Sequence, residues 1–484
     1  VTSGVAGLGR VHLVGVGGAG MSAVAALLAA RGLAVSGSDA ADGPALTGLR
    51  AAGVDVHVGH DEAWVEGADT LVVSSAVRDS NPELVRAREL GVPVLHRSQA
   101  LAALMSDRDA VAVAGAHGKT TTSAMVATAL LAAGQEPSFA IGGTVLSDGG
   151  PLGGARDGSG PAFVAEADES DGSFLAYEPL VAVVTNVEPD HLDHYGSREA
   201  FEDAFVAFAR RVRPGGTLVV CADDDGAARL VARARDDLDA RGVRITTYGR
   251  AGGADVALSD RANPDGGSDV DLTGPAGPAH LRLSAPGAHN ALNAAGAWAA
   301  CVALGVDPLA AAAGLEQFRG TGRRFEHRGT AGGVRVVDDY AHHPTEVAAL
   351  LRAARTVAGD GRVVVLFQPH LYSRTRTFAE QFATALDLAD QVVVTDVYAA
   401  REDPDPTVSG ATIVERVPTP GRARFVADRV EAAHVVARLA RPGDLVLTVG
   451  AGDVTALGPT ILADLTDVAD GDGPGKAADQ GQRA

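Results

Sequence analysis

Gly115-Ala116-His117-Gly118-Lys119-Thr120-Thr121-Thr122 stands between the apolar run 110–114 and the alanine-rich stretch 119–132. That order predicts a buried strand, a glycine turn and a helix, and so an α/β fold. Successive backbone N–H groups and the helix N-terminus can wrap a polyphosphate, the Lys119 ammonium can reach its terminal phosphates, and Thr120 can offer a hydroxyl to Mg²⁺. Lys119 and Lys476 are the only lysines among 41 basic residues. A lysine kept in so arginine-rich a chain has a local reason, since a forked guanidinium is too bulky for such a cradle. The two glycines stand closer together than in G-x-x-x-x-G-K-[ST], so the strand and helix on either side carry the assignment.

Three segments each start a new alternation of strands and helices, the pattern of parallel sheets. Strands are expected at 10–15, 33–37, 54–58, 70–73 and 92–95. A second set falls near 162–166, 180–185, 217–221 and 243–248, and a third near 333–338, 362–367, 391–396 and 444–449. This predicts three consecutive α/β domains: a Rossmann-like one over 1–108, a P-loop ATPase-like one over 109–324 and a second Rossmann-like one over 325–466. Residues 147–161 and 251–279 read as surface excursions, and 467–484 as a disordered tail too polar to bury a core. The net charge of −20 argues against nucleic acid or an anionic membrane as partner. Polyanionic ligands must therefore be held by local glycine turns and arginines. Two cysteines, Cys221 and Cys301, fit a reducing cytoplasm, and the apolar run Met21 to Ala30 is too short to span a bilayer.

Gly15-Val16-Gly17-Gly18-Ala19-Gly20 follows a strand and opens a helix, and Asp39 ends the next strand, matching the dinucleotide fingerprint. The physics specifies a diphosphate on a helix N-terminus with an acidic group near a ribose or base, which NAD and a UDP moiety both satisfy. Ser74 would lie on the same carboxyl edge of the sheet. Two acidic loops, Glu166–Asp171 and Asn186–Tyr195, emerge beside the phosphate loop and suit Mg²⁺ shared with nucleotide phosphates. For Asp168, Asp171 and Asp193 a solvated turn is an equal alternative. Glu166 ends an apolar strand, where a bare charge is costly without a compensating cation.

Asn290 and Asn293 share one helix face and can read a purine edge or cap the helix. Arg323 and Arg324 fall at the proposed join of the second and third domains, suited to a phosphate or to an ion pair with Glu326. In the third segment, Asp338-Asp339-Tyr340-Ala341-His342-His343-Pro344-Thr345-Glu346 and Gln368-Pro369-His370-Leu371-Tyr372-Ser373-Arg374 both follow strands, which sets His342, His370 and Arg374 on one sheet edge.

With these motifs in this order, the chain closely resembles the bacterial Mur ligases over roughly residues 10–460. The resemblance implies an ATP- and Mg²⁺-dependent ligase that joins L-alanine to the lactyl carboxylate of UDP-N-acetylmuramate through an acyl phosphate, in peptidoglycan precursor synthesis. Gly15, Gly17, Gly18 and Gly20, with Asp39 and Ser74, would then hold the UDP-sugar. Gly115, Ala116, His117, Gly118, Lys119, Thr120 and Thr121 would bind ATP, with Thr120, Glu166 and His191 on magnesium. It further implies that Asn293 contacts adenine, that Arg323 and Asp339 contact ATP phosphate or ribose, and that Tyr340, His342, His370 and Arg374 surround the amino acid. Lys119, Glu166, His191, His342 and Arg374 are the implied catalytic set. Some members carry Arg where Leu371 stands, so carboxylate recognition would lean on Arg374. Later ligases of the pathway use a carbamylated lysine, and the lack of a candidate here favours the alanine-adding branch. A nicotinamide oxidoreductase would explain residues 15–39 but leaves Lys119 and the acidic loops without work. A ligase recycling murein tripeptide would share nearly every motif, and a non-catalytic nucleotide-binding module would share the glycine turns.

Overall fold

The computed structural model describes residues 4–263, 266–400 and 402–469. Its strands form three α/β sheets dominated by parallel pairing. In the first, β1 (Val11–Val14), β2 (Val35–Asp39), β3 (Asp55–Val58), β4 (Thr70–Val73) and β5 (Val94–His96) lie in the order β3-β2-β1-β4-β5, all parallel. The order reverses between β1 and β4, which opens a crevice at their carboxyl ends.

The second sheet is assembled from β6 (Asp109–Ala114), β7 (Ser138–Val145), β8 (Gly153–Arg156), β9 (Ala162–Glu166) and β10 (Val181–Val184). It continues through β11 (Thr217–Cys221), β12 (Arg244–Gly249), β13 (Val256–Ala262), β14 (Ser268–Gly274) and β15 (Gly277–Leu283). Its order is β15-β14-β13-β12-β11-β10-β6-β9-β7-β8. The central strands β6, β10 and β11 are mostly apolar and buried, as strands covered on both faces are. β6 lies between β9 and β10, so the phosphate loop leaves the sheet flanked by both acidic loops.

The third sheet has β16 (Glu326–Ala331), β17 (Val334–Asp339), β18 (Val363–Phe367), β19 (Gln391–Val394), β20 (Ala423–Phe425) and β21 (Leu445–Val449), ordered β16-β17-β21-β18-β19-β20. Only the β16–β17 pair is antiparallel.

The chain forms two compact units. One takes in residues up to Arg261 with Asp269–Leu283 and Asn290–Thr321; the other comprises Ala262–Ser268, Ser284–His289 and the chain from Gly322 onward. Within the first, one large apolar cluster runs from Leu8 through Phe163 and Phe205 to Val243, and the helix Ala19–Ala30 packs on β7 and β8.

The stretches expected as surface excursions are partly strands. β8 lies within 147–161 and pairs antiparallel with β7, and β13, β14 and the start of β15 occupy 251–279. Those last three alternate buried and exposed residues, so their polar outer face hides the apolar inner one from a reading based on glycine content. At the other end, the helix Gly458–Ala469 extends into the expected tail, and residues 470–484 lie outside the described residues.

Candidate active site

The helices Ala19–Ala30 and Lys119–Ala132 have glycine N-caps, Gly18 and Gly118, and no side chain caps either one. Their first-turn N–H groups are thereby left for a ligand, which is how a helix N-terminus takes an anion.

At the first, Gly15, Gly18 and Gly20 line a cleft of about 860 Å³ together with Asp39, Ser74, His60 and Arg97. Gly17 serves the loop itself: its N–H donates to Asp39 Oδ2 at 2.8 Å. A methyl group at Gly20 would lie 2.2 Å from Arg97 Nη1, so the bare backbone makes room for that guanidinium. Sequence reasoning passed over Arg97, whose Nη2 donates to Asp168 Oδ2 at 2.9 Å.

At the second, Gly115 and Gly118 have φ of 140° and 84°, and a methyl on Gly118 would come within 2.6 Å of Asn293 Oδ1. Asn293 is therefore at the phosphate loop, where its Nδ2 also donates to Asn290 Oδ1. The loop is held by Asn186, whose Oδ1 accepts from His117 N at 3.0 Å and whose Nδ2 donates to His117 O at 2.9 Å, and by the Thr185 hydroxyl, which donates to the same carbonyl. His117 Nε2 lies 3.2 Å from Glu188 Oε2. Ala116 O accepts from Lys119 at 3.3 Å, and Thr121 is buried in the first helical turn.

Lys119 Nζ donates to Gly115 O at 2.7 Å and pairs with Glu169 at 2.8 Å. Burial acts against the ammonium, yet Glu169, Asp168 and Glu166 together raise its pKa. Burial is also the main influence on Glu169, which is pushed up to about 7 despite Lys119. Glu169 is the acid that turns inward to the lysine, and nothing in the run Glu166–Asp171 singles it out by sequence. Glu166 is stabilised by two donors, the Thr120 hydroxyl at 2.9 Å on Oε1 and Gly142 N at 2.7 Å on Oε2. His191 takes φ 52° and sets Nε2 3.9 Å from Glu169 Oε1. A hydroxyl and a carboxylate oxygen side by side, next to a lysine and an imidazole, form a donor set that fits magnesium shared with phosphates. Asp168 and Asp171 each accept the backbone N–H two residues on, as turn residues do. The Asp193 side chain lies outside the described residues.

In the other unit, the loops after β17 and β18 converge although β21 lies between those strands. The His342 and His370 ring centroids are 5.9 Å apart, and His370 stacks on Tyr398. His342 Nδ1 faces two acceptors, Tyr340 O at 3.1 Å and Glu346 Oε2 at 3.3 Å, which fixes the proton on Nδ1. Burial pushes this imidazole down to about 3, so it is neutral near pH 7. Tyr340 carries Arg323 and Arg324 over its ring at 4.8 and 5.2 Å. Arg323 pairs through Nε with Asp338 at 3.2 Å and donates through Nη2 to Gly450 O, whereas Glu326 takes only its backbone N–H. Asp339 accepts from Phe325 N and Ala341 N at 2.8 Å, and burial raises it to about 6. Arg374 is buried in the short helix Tyr372–Thr377, and Leu371, its N-cap, takes φ 69°.

The descriptions "Mur ligase family, catalytic domain", "Mur ligase middle domain" and "Mur ligase, glutamate ligase domain" match residues 10–109, 113–301 and 323–452. A protein of Kineococcus radiotolerans named UDP-N-acetylmuramate--L-alanine ligase is 62% identical over 95% of this chain and 97% of its own. A namesake from Saccharopolyspora erythraea is 54% identical over 95% and 94%. Among solved structures, the UDP-N-acetylmuramate-alanine ligase MurC of Thermotoga maritima superposes with a TM-score of 0.78 at 32% identity, covering 94% of this chain and 98% of that one. A murein peptide ligase of Psychrobacter arcticus reaches 0.68 at 26%, covering 95% and 99%.

Proposed function

The chain belongs to the Mur ligase family, and we propose that it is the ATP-dependent ligase that joins L-alanine to UDP-N-acetylmuramate. What carries the reading is likeness, along nearly its full length, to ligases named for that reaction. The matched regions support a division into a UDP-sugar domain (1–108), an ATP domain (109–324) and an amino-acid domain (325–466).

The glycine turn 15–20 takes the diphosphate of the sugar nucleotide on the bare helix start at Gly18. The turn 115–120 takes ATP, and Lys119 exchanges Glu169 for the terminal phosphates. The γ-phosphate passes to the lactyl carboxylate as its bond to the β-phosphate breaks and ADP is released, and the Lys119 ammonium and loop N–H groups stabilise the charge that builds on the transferring oxygens. The product is an acyl phosphate. The amine of L-alanine, its ammonium proton given up to water, attacks the carbonyl carbon, the C–O bond to phosphate breaks, and inorganic phosphate leaves as the nitrogen gives a second proton to water and the amide forms. His342, with its proton fixed on Nδ1, offers Nε2 as an acceptor to the alanine ammonium, and Arg374 pairs with the alanine carboxylate. Thr120, Glu166 and His191 would hold magnesium, which supplies neutralising charge to the phosphate oxygens when bound.

A coupled ADP-release assay tests the whole reading, with UDP-N-acetylmuramate, ATP and L-alanine each omitted in turn. ADP release that requires all three is expected. Release with murein tripeptide in place of L-alanine, and none with L-alanine, would instead make the chain a murein peptide ligase.

A further inference from the structure

Glu83 is a fully buried carboxylate that the reaction does not use. It lies in the first turn of the helix Pro82–Leu90, which Asn81 caps by accepting from Glu83 N and Leu84 N. Its side chain has no solvent exposure and meets three partners from three elements. His12 Nε2 on β1 lies 2.6 Å away, the Ser38 hydroxyl on β2 donates at 2.7 and 2.8 Å, and His60 Nδ1, just past β3, lies at 2.6 Å. Burial acts to raise Glu83, but donation from His12, Ser38 and His60 brings it below the ordinary carboxylate range, so it is ionised. An ionised carboxylate only accepts, and His60 must therefore carry its proton on Nδ1. His60 is also a wall of the cleft formed by the glycine turn, and Glu83 is not.

We infer that Glu83 is a positioning residue for the nucleotide cleft: it locks His60 with Nδ1 turned inward, so that Nε2 is the ring atom offered to the nucleotide half of a nucleoside-diphosphate sugar. The same carboxylate steadies the floor of that cleft. Ser38, which donates to it, accepts Gly15 N and Val16 N on its carbonyl at 2.8 and 2.9 Å, so the hydroxyl and the carbonyl of one residue tie Glu83 to the glycine turn. A buried carboxylate with every donor matched is the arrangement that fixes a neighbouring tautomer, because each alternative leaves two donors or two acceptors facing. The inference rests on the reading of this cleft as the sugar-nucleotide site.

Calorimetry with UDP-N-acetylmuramate on the full chain tests it, using the wild type, Glu83→Gln, His60→Ala and the double variant. Each single substitution should weaken binding about tenfold, and the double variant no more than either single one, because both remove the same contact. Nitrogen-15 spectra of the imidazoles should show the Nδ1–H form of His60 in the wild type and its loss in Glu83→Gln. In steady-state kinetics the KM for UDP-N-acetylmuramate should rise while kcat and the KM for ATP stay near wild type. Wild-type affinity in His60→Ala, additive losses in the double variant, or an unchanged His60 spectrum in Glu83→Gln would each overturn the inference. Should Glu83→Gln fail to fold, His60→Ala decides alone: a tenfold loss supports the inference and no loss overturns it. A wild-type protein that does not bind UDP-N-acetylmuramate would instead overturn the reading of the cleft.

Discussion

Arg374 is nearly buried, and Leu371 at the start of its helix supplies no second cation for a carboxylate. A charge-assisted pair in such a place is worth roughly 1.5–3 kcal/mol, or about ten- to a hundredfold in affinity. Arg374→Ala should therefore raise the KM for L-alanine by that factor and leave those for ATP and UDP-N-acetylmuramate near wild type. Varying each substrate in turn checks it, and a uniform fall in kcat without selectivity would remove Arg374 from the amino-acid pocket. His342 makes a prediction about pH. Its pKa is pushed down to about 3, so the imidazole takes no proton as pH falls from 8 to 5, and no acid limb near 6.5 should come from it. The acid limb of kcat/KM for L-alanine should keep its midpoint in His342→Asn although the plateau drops. A midpoint near 6.5 that vanishes in the variant would mean that His342 titrates there. At this scale the sequence exposed which loops carry chemistry but not which side chain in each turns inward. Among Glu166, Asp168, Glu169 and Asp171, the partner of Lys119 is chosen by the path of the backbone after β9, which no residue pattern encodes.

Elements were far more legible than side chains. The parallel strands β1, β6, β10 and β18 are short, mostly apolar runs followed by glycine, threonine or glutamine, and burial on both faces makes such runs plain. β13 to β15 were missed for the converse reason, since one wet face breaks the run into alternation. The turn at 115–118 shows how tightly an element can depend on one residue. Gly118 has φ 84°, and a methyl there would lie 2.6 Å from Asn293 Oδ1. Gly118→Ala meets both the left-handed backbone cost of roughly 1–2 kcal/mol and that clash, and should weaken ATP binding by about tenfold or more. Binding of UDP-N-acetylmuramate, at the turn 15–20 of a different sheet, should be unaffected. Calorimetry with each nucleotide separates these effects, and equal loss of both ligands would refute the assignment of two separate phosphate turns.

At the scale of the whole chain, three largely parallel sheets each bring loops to a carboxyl edge, which is why one-dimensional motifs in order sufficed to read the fold. The end of the chain is where sequence and structure part. The helix Gly458–Ala469 reaches past the point where a polar tail is expected to begin, and it buries Ile461 and Leu465 in a cluster with Val334, Val336, Val446 and Val436. Leu462 adds to it against Gly329 of β16, where a methyl would lie 2.9 Å from its Cδ1. Each buried leucine or isoleucine contributes roughly 1.5–3 kcal/mol, so loss of the helix removes a substantial fraction of a domain's stability. A chain ending at Leu457 should therefore melt many degrees lower or fail to accumulate in soluble form. One ending at Ala469 loses only residues 470–484, whose Gly, Asp and Gln cannot contribute a core. Its melting temperature and its ADP release should match the full chain. Calorimetric melts of the two truncations beside the intact protein decide the point. A drop of several degrees on removing 470–484 alone would show that those residues dock, and an unchanged melt on cutting at Leu457 would show that the helix contributes little to the third sheet.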